Sequence, residues 1–156
     1  MDVKKQNAYF EAIEKKLKER GIEPVRVPGA GKAQVGDTLR FLLSMSDEGG
    51  AVMMELLILD MGEDEPLLTF YTTLFTDVKD ILPDLRVEIP AWNFLCPLGS
   101  FGIFEEAGQL YHKYAVPFAK DASEEELCET AFTVMKFLYE IVGEKYLTTI
   151  QMMMAE

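Results

Sequence analysis

The sequence predicts an α+β fold in which helices pack on one face of an antiparallel sheet. Three observations lead to this prediction. Amphipathic helical segments open and close the chain, three strand-like segments follow one another across short turns, and a strand pair follows a central helical segment. Connections of a few residues join neighbouring strands only in an antiparallel arrangement. The expected order is helix, three-stranded antiparallel meander, helix, β-hairpin and C-terminal helix, in a single domain over residues 1–156.

The first helix is predicted from Val3 to Arg20. Tyr9, Ile13 and Leu17 recur every four residues, while the Lys and Glu side chains fall mostly on the opposite face. Gly21 follows directly, where a left-handed residue commonly ends a helix. The next segment, Glu23–Pro28, is predicted to be extended, because each proline disfavours helical geometry in the residue before it.

A loop is predicted at Gly29–Gly36, and three strands follow it: Thr38–Ser46, Ala51–Met61 and Leu67–Phe75. Their turns are predicted at Asp47–Gly50 and Gly62–Pro66, where Gly and Pro are concentrated. The middle strand is apolar on both faces from Val52 to Leu59. Such a pattern is typical of a strand that is covered on both sides or lies at an interface.

Prolines divide the helical region predicted over Asp77–Leu95. Pro83 is expected to stop a first short turn, and Pro90 to lie in the first turn of a helix that ends near Leu95. A hairpin is predicted next, with strands at Ser100–Phe104 and Gln109–Phe118.

The last helix begins with a predicted capping box, Ser123 to Glu126. Its apolar side chains recur on one face, and the helix is expected to extend past Gly143 to Met154. The residues of that face are Leu127, Ala131, Val134, Leu138, Ile141 and Val142.

Composition limits the classes of partner. The chain has 156 residues, of which 49% are hydrophobic, so it can form a core and is not predicted to be disordered. Its 27 acidic and 15 basic residues give a net charge of −12, which would repel nucleic acid. No apolar run has the length of a membrane span, and the first residues do not resemble a signal peptide. A cytoplasmic protein with no membrane contact is expected.

Catalytic and metal-binding patterns are weak. His112 is the single histidine, and a nucleophile pair would need it with Ser100, Cys96 or Cys128. Its place in an alternating strand favours a structural or surface histidine instead. The glycines of residues 28–32 lack the spacing and the hydroxyl of a phosphate-binding loop, and the acidic residues of 60–65 lack the spacing of a calcium loop. No cofactor and no metal are predicted.

One family resembles part of this chain. Residues 89–103, IPAWNFLCPLGSFGI, are similar to the helix-to-strand passage of YbjN-domain proteins, and residues 104–114, FEEAGQLYHKY, resemble their acidic hairpin. The predicted element order is similar to the type III secretion chaperone-like fold of these domains. The resemblance implies a regulator of bacterial sensory transduction. It also implies similarity to chaperones that are often homodimers and bind extended peptide segments.

The favoured hypothesis is a non-enzymatic protein-interaction module, a YbjN-like regulator or chaperone-like adaptor that forms a homodimer and binds a protein or peptide segment. An acidic surface around an apolar patch suits an apolar or basic segment. The alternative is a small-molecule sensing domain with an apolar pocket between helices and sheet. An enzyme is the least favoured. The predicted interaction surface is an apolar sheet or helix surface that includes Leu57, Leu59, Trp92, Met152 and Met153.

Three of these residues have a second interpretation. Trp92 also fits a core anchor. Met152 and Met153 belong to a run of three methionines, which also fits a tail that frays in solvent; three consecutive helical positions cannot all face one core.

Overall fold

A computed structural model describes residues 1–29, 35–44, 50–62 and 65–155. The fold is α+β, as predicted, with a six-stranded antiparallel sheet in the order β1-β2-β3-β4-β6-β5. The strands are β1 Val25–Val27, β2 Val35–Ser44, β3 Ala51–Leu59, β4 Leu67–Phe75, β5 Ser100–Phe104 and β6 Gln109–Pro117. The α-helices are α1 Val3–Glu19, α2 Leu82–Leu95, α3 Glu124–Leu138 and α4 Thr148–Ala155.

Helix α1 and the segment after it confirm the prediction. Phe10, Ile13 and Leu17 are fully buried, so the predicted apolar face is the packed one. Gly21 has a φ of 77°, the left-handed conformation expected after the helix. The extended segment that follows contains β1, which pairs with β2 as one strand more than predicted.

The predicted meander is β2, β3 and β4, paired antiparallel in chain order. Strand β2 begins at Val35, inside the segment predicted as a loop, and its register shifts between Val35 and Thr38. Strand β4 has the predicted bounds. The predicted hairpin consists of β5 and β6, and β6 pairs with β4. Most of the predicted loop 29–36 and turn 47–50, and residues 63–64 of the next turn, lie outside the described residues.

The structure confirms part of the prediction for Pro83 and corrects the one for Pro90. A short 3-10 turn, Lys79–Ile81, ends directly before α2, and Pro83 lies in the first turn of α2, where a missing amide hydrogen costs no helical bond. Pro90 lies inside the helix and does not begin it. Its side chain is exposed and Arg86, one turn earlier, is exposed too, so water can solvate the Arg86 carbonyl that Pro90 leaves without a donor.

The C-terminal region begins with the predicted capping box, in which Ser123 and Glu126 each accept a backbone amide hydrogen of the other. All six side chains of the predicted apolar face are buried. The helix does not stop at Gly143. It widens into a π-helical segment, Tyr139–Leu147, and then continues as α4. Among the described residues, no helix is both long and apolar enough to cross a membrane.

The core lies between the helices and one face of the sheet, here called the inner face. One buried cluster joins side chains such as Leu56 and Phe70 to α1 and α3. A second cluster joins Phe101 and Leu110 to α2, the π-helical segment and α4. The helical members of both clusters pack against inner-face side chains. Among the described residues, no helix packs across the opposite face of the sheet, although Gln151 of α4 reaches one end of it, beside Leu42 and Met53.

Candidate interaction surfaces

The outer sheet face is the side of the sheet that the described helices leave uncovered. The strand register places its side chains in line across β2, β3, β4 and β6. Its members are Thr38, Arg40, Leu42, Met53, Glu55, Leu57, Leu59, Leu67, Thr69, Tyr71, Thr73, Tyr111, Lys113 and Ala115. Leu42 is 65% exposed, while Leu57 and Leu59 are half-buried between their neighbours.

The outer sheet face carries little charge. Arg40 and Glu55 lie on paired positions of β2 and β3 and form an ion pair with an N–O distance of 2.7 Å. Lys113 on β6 is the remaining charged side chain among the face members. These three side chains give the face a net charge of +1, whereas the whole chain carries −12.

Aromatic side chains cover the centre of the outer sheet face. The rings of Tyr71 and Tyr111 stack with centroids 4.6 Å apart and planes at 24°. Burial, the neighbouring Tyr111 and the Glu55 carboxylate raise the pKa of Tyr71 to about 12. The Tyr71 hydroxyl is uncharged at neutral pH, as that of an ordinary tyrosine is, so the stacked pair adds no charge to the face.

A second apolar surface, here called the α2 stripe, runs along the exposed side of helix α2. Val87 is 73% exposed, Phe94 88% and Leu95 71%. These residues follow helical spacing together with exposed prolines and an alanine, so they form one continuous strip. The members of the α2 stripe are Pro83, Val87, Pro90, Ala91, Phe94 and Leu95.

The opposite side of α2 is also apolar and is buried. Trp92 is 7% exposed, and its ring lies 5.7 Å from the ring centroids of both Phe101 and Tyr146. The Asn93 amide donates to the Phe101 carbonyl at 3.0 Å and accepts from the Phe101 amide at 2.6 Å, which holds α2 against β5. Helix α2 is therefore apolar on two opposite sides, which are separated by Asp84, Arg86 and Glu88. The described residues cover only one of these two sides.

The predicted surface residues do not meet on one surface. Leu57 and Leu59 lie on the outer sheet face. Met152 is 67% exposed on α4, and Met153 is half-buried against the second cluster. Trp92 is a core residue, so it is withdrawn from the predicted interaction surface; its large side chain has the T-shaped and tilted contacts of a packed aromatic cluster. The core-anchor interpretation of Trp92 is the one that the structure supports.

Sequence reasoning missed Val87, Phe94 and Leu95. The segment that contains them has apolar residues at nearly every helical phase, which was the available signal. Trp92 was predicted to lie on the surface, but on this helix Phe94 and Leu95 are the accessible side chains.

The histidine pairs with only one of its three predicted partners. His112 Nε2 lies 3.7 Å from Cys96 Sγ. Ser100 pairs in register with Lys113, on the other face of the sheet, and Cys128 is buried in the first cluster. However, His112 Nε2 lies 2.8 Å from the Leu98 carbonyl, which can only accept, so Nε2 carries the hydrogen. Nε2, the nitrogen near the Cys96 thiol, therefore has no free lone pair with which to accept the thiol proton.

His112 is expected to make the fold sensitive to mild acid. The side chain is fully buried, and its Nδ1 has no hydrogen-bond partner in the part of the chain that the structure describes. Burial lowers the pKa of His112 below the usual 6.5, and the hydrogen bond to the Leu98 carbonyl opposes this shift. The unfolded chain binds a proton near pH 6.5, where the folded chain does not. The free energy of unfolding should therefore fall as the pH decreases below about 6.5 and stay constant just above it.

Urea titrations from pH 7.5 to 5.5 measure this dependence, because carboxylates titrate at lower pH. His112→Phe should abolish the slope. An equal slope in that variant would contradict the prediction.

The larger cavities are open at the surface. One of about 540 Å³ lies between α1 and α3 and is lined mainly by Lys and Glu side chains. Another of about 410 Å³ lies at the end of the outer sheet face, beside Leu42, Met53 and Gln151. The space between helices and sheet, where the ligand-sensing alternative requires a pocket, holds the two buried clusters.

Comparison with known proteins adds no family assignment: no protein-family model and no curated protein matches this sequence. The resemblance to YbjN-domain proteins depends on residues 89–118 and on the element order.

Proposed function

We propose that this chain is a non-enzymatic protein-interaction module that forms a homodimer through the outer sheet face. The observation that carries the proposal is a broad, nearly neutral sheet face that the described helices leave uncovered, in a chain of charge −12. The resemblance to YbjN-domain proteins favours a cytoplasmic regulator or chaperone-like adaptor that also binds a protein or peptide segment.

The size of the outer sheet face supports this proposal. The four long strands β2, β3, β4 and β6, spaced by about 4.8 Å, span roughly 19 Å, and strands of nine or ten residues are about 30 Å long. The face therefore offers roughly 600 Å² to a partner. Standard protein–protein interfaces bury about 600 to 1,000 Å² on each side, so a second copy that covers the whole outer sheet face would form an interface at the lower end of this range.

Charge supports a second copy of this chain as the occupant. Two anionic chains repel each other through most of their surface, and the repulsion is smallest where the contact carries no excess of negative charge. The outer sheet face meets this condition, since its net charge is +1. A two-fold axis through the face would place the same residues on both sides of the contact.

Leu57→Glu and Lys113→Glu are expected to weaken the dimer about tenfold or more, because each places two new negative charges across the two-fold contact. Lys113 is exposed, so its replacement leaves the monomer core unchanged. Analytical ultracentrifugation over a concentration series measures the dissociation constant, and circular dichroism checks the fold.

Phe137→Glu is the matched control. Phe137 lies on α3, is 48% exposed, and receives the same charge outside the outer sheet face. It should leave the dissociation constant unchanged. A wild-type chain that is monomeric at every concentration would overturn the proposal, as would a dimer that both outer-face variants leave intact.

A further inference from the structure

We infer that the α2 stripe is the docking site for a cationic amphipathic helix of a partner protein. This inference extends the proposed interaction module to a partner of stated chemistry. It concerns a surface different from the outer sheet face, and it holds whether or not the chain dimerises.

Solvent exposure is the first argument. The α2 stripe exposes Phe94 and Leu95 on successive positions, and Val87 lies two turns before Phe94. Isolated apolar side chains on a surface are ordinary, but a continuous apolar strip along one helix is typical of an interaction site. The strip cannot turn inward, because Trp92, Asn93 and Leu85 hold the other side of α2 against the core.

Geometry favours a helical partner. The α2 stripe extends from Pro83 to Leu95, which corresponds to about 18 Å of helix. Its side chains form the ridge that an antiparallel or parallel helix can pack against through its own i, i+3, i+4 positions. A strand would need an unpaired sheet edge for its backbone hydrogen bonds, and the α2 stripe offers none.

Charge around the α2 stripe defines the partner further. Residues 77–106 contain six carboxylates and two cationic side chains, a net charge of −4, and all eight are exposed. Arg86 already pairs with Glu105 through two bonds of 2.9 and 2.8 Å, so it offers little to a partner. Asp84 and Glu88 lie on α2 itself, beside the apolar strip.

The net negative charge of residues 77–106 favours one kind of partner over others. A second α2 stripe would bring a charge of −4 against the same charge, and an anionic lipid surface would be repelled as well. A helix with Leu or Phe on one face and Lys or Arg along its borders would satisfy both the apolar strip and the carboxylates.

The test uses two synthetic peptides of about 18 residues, long enough to cover the strip as a helix. One is an amphipathic Leu/Lys peptide, and the other is its Leu/Glu counterpart with an identical apolar face. Fluorescence anisotropy should show binding of the Leu/Lys peptide to the full chain. The Leu/Glu peptide should bind at least about tenfold more weakly.

Two variants locate the binding. Phe94→Ser should weaken binding of the Leu/Lys peptide about tenfold or more, because it removes the most exposed side chain of the strip. Glu88→Lys should weaken binding of the Leu/Lys peptide and strengthen binding of the Leu/Glu peptide. Phe137→Ser removes an exposed phenylalanine from α3 and serves as the matched control, which should leave both affinities unchanged.

Three results would overturn the inference: no binding of the Leu/Lys peptide, equal binding of both peptides, or equal losses in Phe94→Ser and Phe137→Ser. Sedimentation with phosphatidylcholine/phosphatidylglycerol vesicles tests the lipid occupant, and vesicle binding that Phe94→Ser abolishes would also overturn it. The Leu57→Glu and Lys113→Glu variants should bind the Leu/Lys peptide normally, so failure of the dimer and failure of this inference are distinguishable.

Discussion

Gly99→Ala is expected to lower the free energy of unfolding by about 3 kcal/mol or more. Gly99 has a φ of 75°, and a Cβ atom there would overlap the Lys113 carbonyl oxygen and lie 2.5 Å from His112 Cε1. The carbonyl belongs to the β6 backbone and cannot rotate away as a side-chain end could. The β5–β6 hairpin or the chain between α2 and β5 would therefore have to shift.

Gly21→Ala is the matched control for this substitution. Gly21 has nearly the same φ, 77°, but no atom lies within 4 Å of a Cβ built there. Gly21→Ala should lower the free energy of unfolding by only about 1 kcal/mol, which is the cost of the left-handed conformation for a residue with a Cβ atom. Urea unfolding followed by circular dichroism measures both variants. Equal losses would show that the close approach to β6 contributes nothing beyond the backbone conformation.

The parts of the fold that could be predicted from the sequence are those with a local physical cause. The Ser123–Glu126 capping box, the left-handed Gly21 and the bounds of β4 each depend on a few neighbouring residues. The pairing of β1 with β2 joins residues 11 to 15 positions apart, and three residues give too short a pattern to indicate a strand. Pro90 was misplaced because the tolerance of a proline inside a helix depends on exposure, which local sequence does not report.

The candidate surfaces were harder to predict for a different reason. An apolar residue in a sequence gives no direct sign of which elements will cover it. Alternation showed that Leu57 and Leu59 share a face opposite to Leu56 and Ile58. It did not show that the helices would pack only on the face of Leu56 and Ile58. Helix α2 is apolar on two opposite sides, so periodicity could not decide whether the side with Trp92 or the side with Phe94 is buried.

Trp92→Ala and Phe94→Ala form a pair that tests this separation directly. Trp92 is buried against Phe101 and Tyr146, so its truncation should cost about 3 to 5 kcal/mol of unfolding free energy. Phe94, two residues later on the same helix, is 88% exposed and should change stability by about 0.5 kcal/mol or less. Trp92 is the single tryptophan, so circular dichroism in urea is the measurement for both variants.

The two variants should separate stability from binding. Trp92→Ala should unfold at a lower urea concentration, and Phe94→Ala should keep the wild-type midpoint while losing affinity for the Leu/Lys peptide. A large stability loss in Phe94→Ala would mean that the α2 stripe is covered within the chain in solution, which would remove the surface that the partner helix requires. A small loss in Trp92→Ala would mean that the ring of Trp92 is not packed against Phe101 and Tyr146 as described.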